Sequence, residues 1–267
     1  MHPRNRKRRS TRCLTTSIWS DFVRVIGVDE AGRGPCIGPL FVGAVALPNE
    51  HLHMLEELGV TDSKRLKPNQ RESMDAELRR LGALHGWGLC VQPLQPPTID
   101  AAVEEQGLNR LEVEGFVIAI NEVWKDGEDH HLVLDACDVD ATRFGRNVES
   151  GLHTLGKAPA HVLAKHRADA DERIVGAASI IAKVARDAWV RAFIERTGHD
   201  IGSGYPSDPK MKHVIADLLG GSLPHGDLRW SWATTKRAWQ ALHGTKAPVR
   251  TASGTSVQRR LFDPPSS

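Results

Sequence analysis

Cysteine is scarce in this sequence, with four in 267 residues. Cys13, Cys36, Cys90 and Cys137 stand far apart, which excludes the paired spacing of a structural zinc site and the density of a small disulfide scaffold. A reducing, cytoplasmic setting is the expectation. Long apolar runs are also missing: the longest, residues 41–47, has the length of a strand and falls far short of the roughly 20 residues of a membrane-crossing helix. There is a single tyrosine, Tyr205. Neither sign of charge dominates, the formal net being +2. A nucleic-acid surface would therefore have to come from local clustering, not from a protein basic as a whole.

What is present suffices for one large domain, or for a catalytic domain with a smaller companion, since 40% of the residues are hydrophobic. Seven of the first 24 residues are Arg or Lys against the single acid Asp21, and no apolar segment follows as a secretory signal requires. Residues 1–21 read as a basic, disordered arm: a solvated tail, a phosphate-binding or targeting segment, or an over-extended start.

Residues 22–28 form an apolar, β-branched run ending in Asp29-Glu30, and residues 41–47 form a second, with the Gly/Pro-rich loop 31–39 between them. Both read as buried strands. Helical spacing over 68–81 (Met74, Leu78, Leu81) and alternation over 84–92 add a helix and a third strand. This β-β-α-β order predicts a mixed sheet that begins with antiparallel neighbours. Further helices are predicted over 98–105, 108–124, 143–155 and 173–195, with strands at 131–134, ending in Asp135, and at 160–164. After a turn at 201–209, helices over 210–219 and 229–243 read as a small cap. The organisation expected is thus an arm at 1–21, a catalytic domain at 22–197, a helical C-terminal cap at 198–243 and a flexible tail at 244–267.

Strands ending in Asp29-Glu30 and in Asp135 place three carboxylates along one sheet edge. That is a hard-cation site suited to Mg²⁺ or Mn²⁺, and two such ions roughly 4 Å apart clamp the attacking and leaving oxygens of a phosphodiester displacement. An isolated Asp-Glu pair is more often solvated or capping. Its context adds weight, because Gly32-Arg33-Gly34-Pro35 sets a cation between two glycines. Main chain there can approach a sugar-phosphate closely, and Arg33 can fork onto a phosphate. An ordinary glycine loop is the alternative.

The segment Gly27-Val28-Asp29-Glu30-Ala31-Gly32-Arg33-Gly34-Pro35 resembles the signature of type 2 ribonucleases H (ribonuclease HII). Further segments similar to that family follow in order: Asp62-Ser63-Lys64, Leu134-Asp135-Ala136, Ala168-Asp169, the run from Ala177 to Asp187, and Gly202-Ser203-Gly204-Tyr205-Pro206-Ser207-Asp208-Pro209. The likeness covers about residues 24–240, and its Gly-Ser-Gly-Tyr-Pro form is nearer to archaeal and eukaryotic members than to common bacterial ones. It implies an α/β, ribonuclease H-like fold, with a five-stranded mixed sheet flanked by helices and a helical C-terminal region. It also implies an endonuclease that hydrolyses the RNA strand of RNA–DNA hybrids, single ribonucleotides embedded in DNA included. Such an enzyme uses two divalent ions, leaves 5′-phosphate and 3′-hydroxyl ends, and belongs to ribonucleotide excision repair and DNA replication.

The resemblance carries four metal-holding acids onto Asp29, Glu30, Asp135 and Asp169; by spacing alone, Asp171, Glu172 and Asp187 rival the last. One departure concerns the run Lys165-His166-Arg167-Ala168-Asp169, where related sequences tend to begin with an acid. For the substrate, only the 2′-hydroxyl separates RNA from DNA at a given nucleotide. By resemblance, the main chain of Gly32, Arg33 and Gly34 contacts that hydroxyl and Tyr205 stacks on the sugar at an RNA-to-DNA junction. A tether for the C-terminal cap is the other role open to the Tyr205 ring. Ser63, Lys64, Lys183 and Arg186 are expected at backbone phosphates.

Trp230, Trp232 and Trp239 fit core packing of the terminal helix better than a base-stacking platform. In the tail, Gln258-Arg259-Arg260-Leu261-Phe262 resembles short peptides that dock on bacterial sliding clamps, which adds a clamp to the expected partners. The chain is expected to act as a monomer. Two other readings stay open: another two-metal nuclease on a similar sheet, such as a Holliday-junction resolvase or an exonuclease, and a non-catalytic nucleic-acid-binding module.

Overall fold

The structure, a computed structural model, describes residues 23–60, 66–105 and 107–250. The expected basic arm, the Ser63-Lys64 pair and the clamp-like residues Gln258, Leu261 and Phe262 lie outside the described residues.

Five strands make one mixed sheet: β1 (Val23–Ala31), β2 (Leu40–Pro48), β3 (Gly88–Leu94), β4 (Asp129–Asp135) and β5 (His161–Lys165), in the order β3-β2-β1-β4-β5. β1 runs antiparallel to β2, and β2 to β3, whereas β4 and β5 are parallel additions on the other side of β1. The antiparallel start matches the expected order. β1 is central, buried on both faces, and therefore reads as a continuous apolar run, as β2 also does.

Helices cover both faces. On one lie α3 (Pro96–Glu105), α4 (Leu108–Val123) and α5 (Ala141–Thr154), packed through Phe116, Ile120, Phe144 and Val148 against Ile26, Val28, Leu132 and Leu134. On the other lie α1 (Leu52–Glu57), α2 (Pro68–His85), the single turn α6 (Ala168–Asp171) and the long α7 (Arg173–Thr197). Their core holds Val25, Val45, Leu78, Val175 and Ile181. α7 lies unusually close to the sheet because two glycines leave room for it. A β-carbon on Gly27 would stand 2.5 Å from the Ile174 backbone, and one on Gly43 2.3 Å from the Ala178 carbonyl oxygen. This proximity delivers Ser179 and Lys183 to the end of β1.

The C-terminal helices α8 (Pro209–Leu219) and α9 (Ala233–His243) close a third core around Phe193, Ile201, Met211, Leu228 and Trp239. Cys36 and Ile37 of the β1–β2 loop belong to it as well. Trp239 is buried there and Trp230 and Trp232 pack against it, as the packing reading of the tryptophans requires. Among the described residues no helix is long and apolar enough to cross a membrane.

Three departures from the sequence reading are larger than a shift of two residues at an element's end. α2 continues to His85 and stops at Gly86, whose φ of 67° ends the helix in a left-handed turn, so β3 starts at Gly88 instead of 84. Residues 229–232 are not helical, because their polar groups are taken by tertiary partners: the Arg229 amide donates to the Cys36 carbonyl, and the Trp230 and Ser231 amides donate to the Asp100 carboxylate. The short helices at Leu52–Glu57 and Ala168–Asp171 are too brief to show a 3.6-residue period.

Candidate active site

Successive strand residues point to opposite faces, and β1 obeys this to its end. Asp29 shares its face with Val25 and turns toward α7; Glu30 shares its face with Ile26 and Val28 and turns toward α4. Asp29 is buried, and its pKa is raised well above the ordinary carboxylate range, first by burial and then by the charges of Glu30 and Asp135. The Ser179 hydroxyl and the Lys183 ammonium pull the other way, and Lys183 Nζ donates to Ser179 Oγ at 2.8 Å. Glu30 has different company: the Cys137 thiol donates to its Oε2 at 3.3 Å.

β4 is in register with β1 up to Val28 and Leu134, so Asp135 falls beside Asp29 one step further on. Asp135 Oδ1 accepts the Ala168 amide at 3.0 Å, which anchors the first turn of α6. That turn opens at Arg167, the one non-glycine residue with positive φ (60°) among the described residues, and it carries Asp169 into the interior at 2% exposure. One carboxylate oxygen from each of Asp29, Asp135 and Asp169 lies within 4.8 Å of the other two. Three hard oxygen donors at this separation, one of them raised in pKa by burial and then by its anionic neighbours, form a set that a divalent cation of the Mg²⁺ or Mn²⁺ kind would satisfy. Glu30 lines the same cleft but stands outside this tight group.

The rival acids have other partners. Lys165 Nζ donates to Asp171 at 3.2 Å and to Glu172 at 2.9 Å, so the cation that departs from the family pattern is matched by carboxylates on its own side of the chain. Asp187 accepts from Arg71 at 2.7 Å, an ion pair between α2 and α7 at the rim of the cleft.

The cleft has a volume of about 460 Å³ and is lined by the acids together with Gly32, Arg33, Arg71, Lys183, Arg186 and Tyr205. Gly32 has φ of 91°, a conformation that L side chains rarely adopt, and it lies under the Arg186 side chain. Gly34 lies under the ring of Tyr205, which is 43% exposed and has the Arg186 guanidinium 6.0 Å from its centroid. The structure thus brings together Asp29, Glu30, Gly32, Arg33, Asp135, Asp169, Lys183, Arg186 and Tyr205. The Arg33 side chain is already engaged: Nε donates to Glu112 at 2.7 Å and Nη2 to Asn109 at 2.7 Å, both on α4.

Sequence reasoning missed several residues here, Ser179 beside Asp29 and Asn109 beside Arg33 among them. Arg71 adds a cation to the cleft wall; Cys137 and Glu112 hold Glu30 and Arg33; Arg229 binds the loop from behind. Two of them left a signal. Cys137 follows Asp135 by two residues, hence beside the same strand end, and Glu112 interrupts the apolar stripe of α4. Arg71 and Arg229 have no local pattern that separates them from surface cations.

The chain is similar to known proteins of one family over most of its length. The family model for ribonuclease HII matches residues 26–235. A ribonuclease HII of Pyrococcus horikoshii is 37% identical over 219 residues, 80% of this chain and 92% of that protein. The crystal structure of the ribonuclease H2 from Pyrococcus horikoshii OT3 superposes with a TM-score of 0.71 at 36% identity, covering 83% of this chain and 100% of that one. A chain of the PCNA:RNase HII complex from Archaeoglobus fulgidus superposes with a TM-score of 0.68 at 32% identity, covering 80% of this chain and 96% of that one.

Proposed function

This chain belongs to the ribonuclease HII family, and from that membership we propose that it cleaves the RNA strand of RNA–DNA hybrids and cuts at single ribonucleotides embedded in duplex DNA. The observation that supports this most directly is the convergence of Asp29, Asp135 and Asp169 at the floor of a cleft whose wall is the Gly32–Gly34 turn and Tyr205. In this reading the three aspartates, with Glu30 as a fourth ligand reached from the opposite sheet face, hold two divalent ions, Mg²⁺ or Mn²⁺. When bound, the ions supply charge stabilisation for in-line phosphodiester hydrolysis that leaves 5′-phosphate and 3′-hydroxyl ends.

The remaining roles fall to residues around them. Ser179 and Lys183 orient Asp29. The main chain of Gly32, Arg33 and Gly34 meets the 2′-hydroxyl, and the exposed Tyr205 ring stacks on the sugar. Arg71, Lys183 and Arg186, with Ser63 and Lys64 from outside the described residues, meet backbone phosphates. Because Arg33 is occupied by Glu112 and Asn109, its side chain braces the turn in this scheme instead of reaching for phosphate.

We extend the reading to organisation and partners. Residues 22–197 form the catalytic unit and 198–243 the helical C-terminal region, between an arm at 1–21 and a tail at 244–267. The chain acts as a monomer in the cytoplasm, and Gln258, Leu261 and Phe262 dock on a sliding clamp. The relative from Archaeoglobus fulgidus that forms a complex with PCNA supports a clamp as partner.

The test is a cleavage assay with Mg²⁺ or Mn²⁺ on a long hybrid, on a duplex with one ribonucleotide and on an all-DNA four-way junction. The reading expects cuts in the first two, mapped to the 5′ side of a ribonucleotide phosphate, and none in the third. Cutting of the junction alone would replace it with a resolvase.

A further inference from the structure

Arg229 is the largest fully buried side chain among the described residues. No carboxylate lies within ion-pair distance of it among the described residues; its donors instead go to three main-chain carbonyls of the β1–β2 loop. Nη2 donates to Gly32 O at 2.6 Å, Nη1 to Arg33 O at 2.8 Å and Nε to Gly38 O at 2.9 Å. The Trp232 ring lies 4.8 Å from its guanidinium carbon. Burial, with repulsion from Arg186, lowers its pKa to about 10, so it keeps its charge at neutral pH. Burying a cation without an anion is costly, and three aligned carbonyl dipoles are what offsets that cost here.

Arg229 is itself held firmly. Its amide donates to Cys36 O at 2.9 Å, and Gly38 N donates to Asp227 O at 2.8 Å. The next two residues are fixed by the buried Asp100, which accepts the Trp230 amide at 3.0 Å and the Ser231 amide at 2.9 Å. The fork is therefore a rigid template that faces a loop with little regular structure of its own.

The consequence follows from peptide geometry. In a trans peptide the C=O of one residue and the N–H of the next point in opposite directions. Because the carbonyls of Gly32 and Arg33 both turn inward to Arg229, the amides of Arg33 and Gly34 both turn away from it. Among the described residues neither amide donates to a protein acceptor, and Gly34 is exposed beside Tyr205. Two successive donors are thus presented together on the outer side of the turn.

We propose that Arg229 is the positioning residue that sets the sugar-reading conformation of the Gly32–Gly34 turn, by fixing two consecutive peptide planes so that their N–H groups face an oxygen of the ribose. The proposal rests on the functional reading above, and it assigns selectivity to a residue that never touches substrate. A lysine keeps the charge yet has one nitrogen and no planar fork, so it cannot hold three carbonyls in fixed directions.

The experiment compares the full chain carrying Asp135→Asn, which prevents cutting, with the same chain carrying Arg229→Lys in addition. Equilibrium binding is measured to a duplex with one ribonucleotide and to the identical all-DNA duplex. The expected result is a preference for the ribonucleotide duplex that falls at least fivefold on Arg229→Lys, while affinity for the all-DNA duplex stays within about twofold, since phosphate contacts are untouched. A merely structural defect would weaken both duplexes alike. Retention of the preference in Arg229→Lys overturns the proposal alone. Absence of any preference in the Asp135→Asn chain, together with no cutting of the ribonucleotide duplex by the unmutated enzyme, overturns the functional reading and the proposal with it.

If Arg229→Lys does not fold, amide hydrogen exchange in the Asp135→Asn chain decides. Slowing at Arg33 and Gly34 by the ribonucleotide duplex and not by all-DNA supports the proposal, and equal slowing by both overturns it.

Discussion

A β-carbon on Gly34 would stand 2.6 Å from Cε1 of Tyr205, closer than carbon atoms approach without displacement. The glycine is the floor on which the one tyrosine of the protein rests, so the ring and the turn are a single unit. Gly34→Ala is expected to push the ring off the turn and to lower kcat/KM on a single-ribonucleotide duplex by tenfold or more, about 1.4 kcal/mol. The melting temperature should barely change, because both residues are exposed. Steady-state kinetics on that substrate checks this, and wild-type kinetics in the variant would separate Tyr205 from the sugar.

Asp135 serves twice, as a member of the acidic triad and as acceptor for the Ala168 amide. Asp135→Asn keeps an oxygen for the amide but removes the charge. Cleavage should be abolished while hybrid affinity, measured by fluorescence anisotropy, stays within about an order of magnitude, since the phosphate contacts carry most of it. Unchanged cleavage would take Asp135 out of the chemistry.

Asp169 and Asp187 both line the cleft, and only Asp169 belongs to the triad. Calorimetric titration with Mn²⁺ should therefore show strongly weakened binding in Asp169→Asn. Asp187→Ala should bind the ion as the wild type does, while Arg71 loses its partner. The reverse ranking would make Asp187 the ligand.

Gly27 and Gly43 lie where α7 crosses the sheet, each facing helix backbone that cannot rotate away. Either Gly→Ala change has to lift the helix, which is expected to cost about 1–3 kcal/mol in urea unfolding and to weaken metal binding as Ser179 and Lys183 withdraw from Asp29. A variant as stable as the wild type would mean that the helix can shift at no cost.

Glu112 supplies a pH dependence. Its carboxyl is pushed up from 4.5 to about 7, because burial outweighs the attraction of Arg33. A carboxyl that holds its proton more tightly when folded makes the fold lose stability as pH rises from about 4.5 to about 7, with no further change on either side. The full span is on the order of 3 kcal/mol. Glu112→Gln lacks this loss, so in urea unfolding of the metal-free protein the variant should gain on the wild type between pH 5 and pH 8. A constant difference would show that Glu112 is ionised across the range.

The sequence exposed those parts of the site whose signals are local. Asp29 and Asp135 terminate apolar strand runs, and strict pairing of β1 with β4 then fixes them side by side. The antiparallel start of the sheet followed from two strands joined by a loop too short to hold a crossover helix. Arg33 shows where local reading fails: a cation between glycines suggests a phosphate ligand, but its partner Glu112 lies 79 residues away on a helix whose approach no local pattern encodes. The same holds for residues 229–232, where a helical spacing yields to hydrogen bonds with Cys36 and Asp100. Alternation along β1 does predict that Asp29 and Glu30 diverge. The partners that make the divergence useful, Ser179 and Cys137, come from opposite sides of the sheet.

The bridge between Ile37 and Leu228 and the Arg229 fork join segments more than 190 residues apart. During synthesis, the acids at the ends of β1 and β4 and in α6 leave the ribosome long before Leu228 does. A nascent chain therefore exposes its carboxylates early and the fixings of the Gly32–Gly34 turn late. If Arg229 sets that turn as proposed, selectivity for the sugar waits until translation has passed Arg229 and cleared it from the exit tunnel.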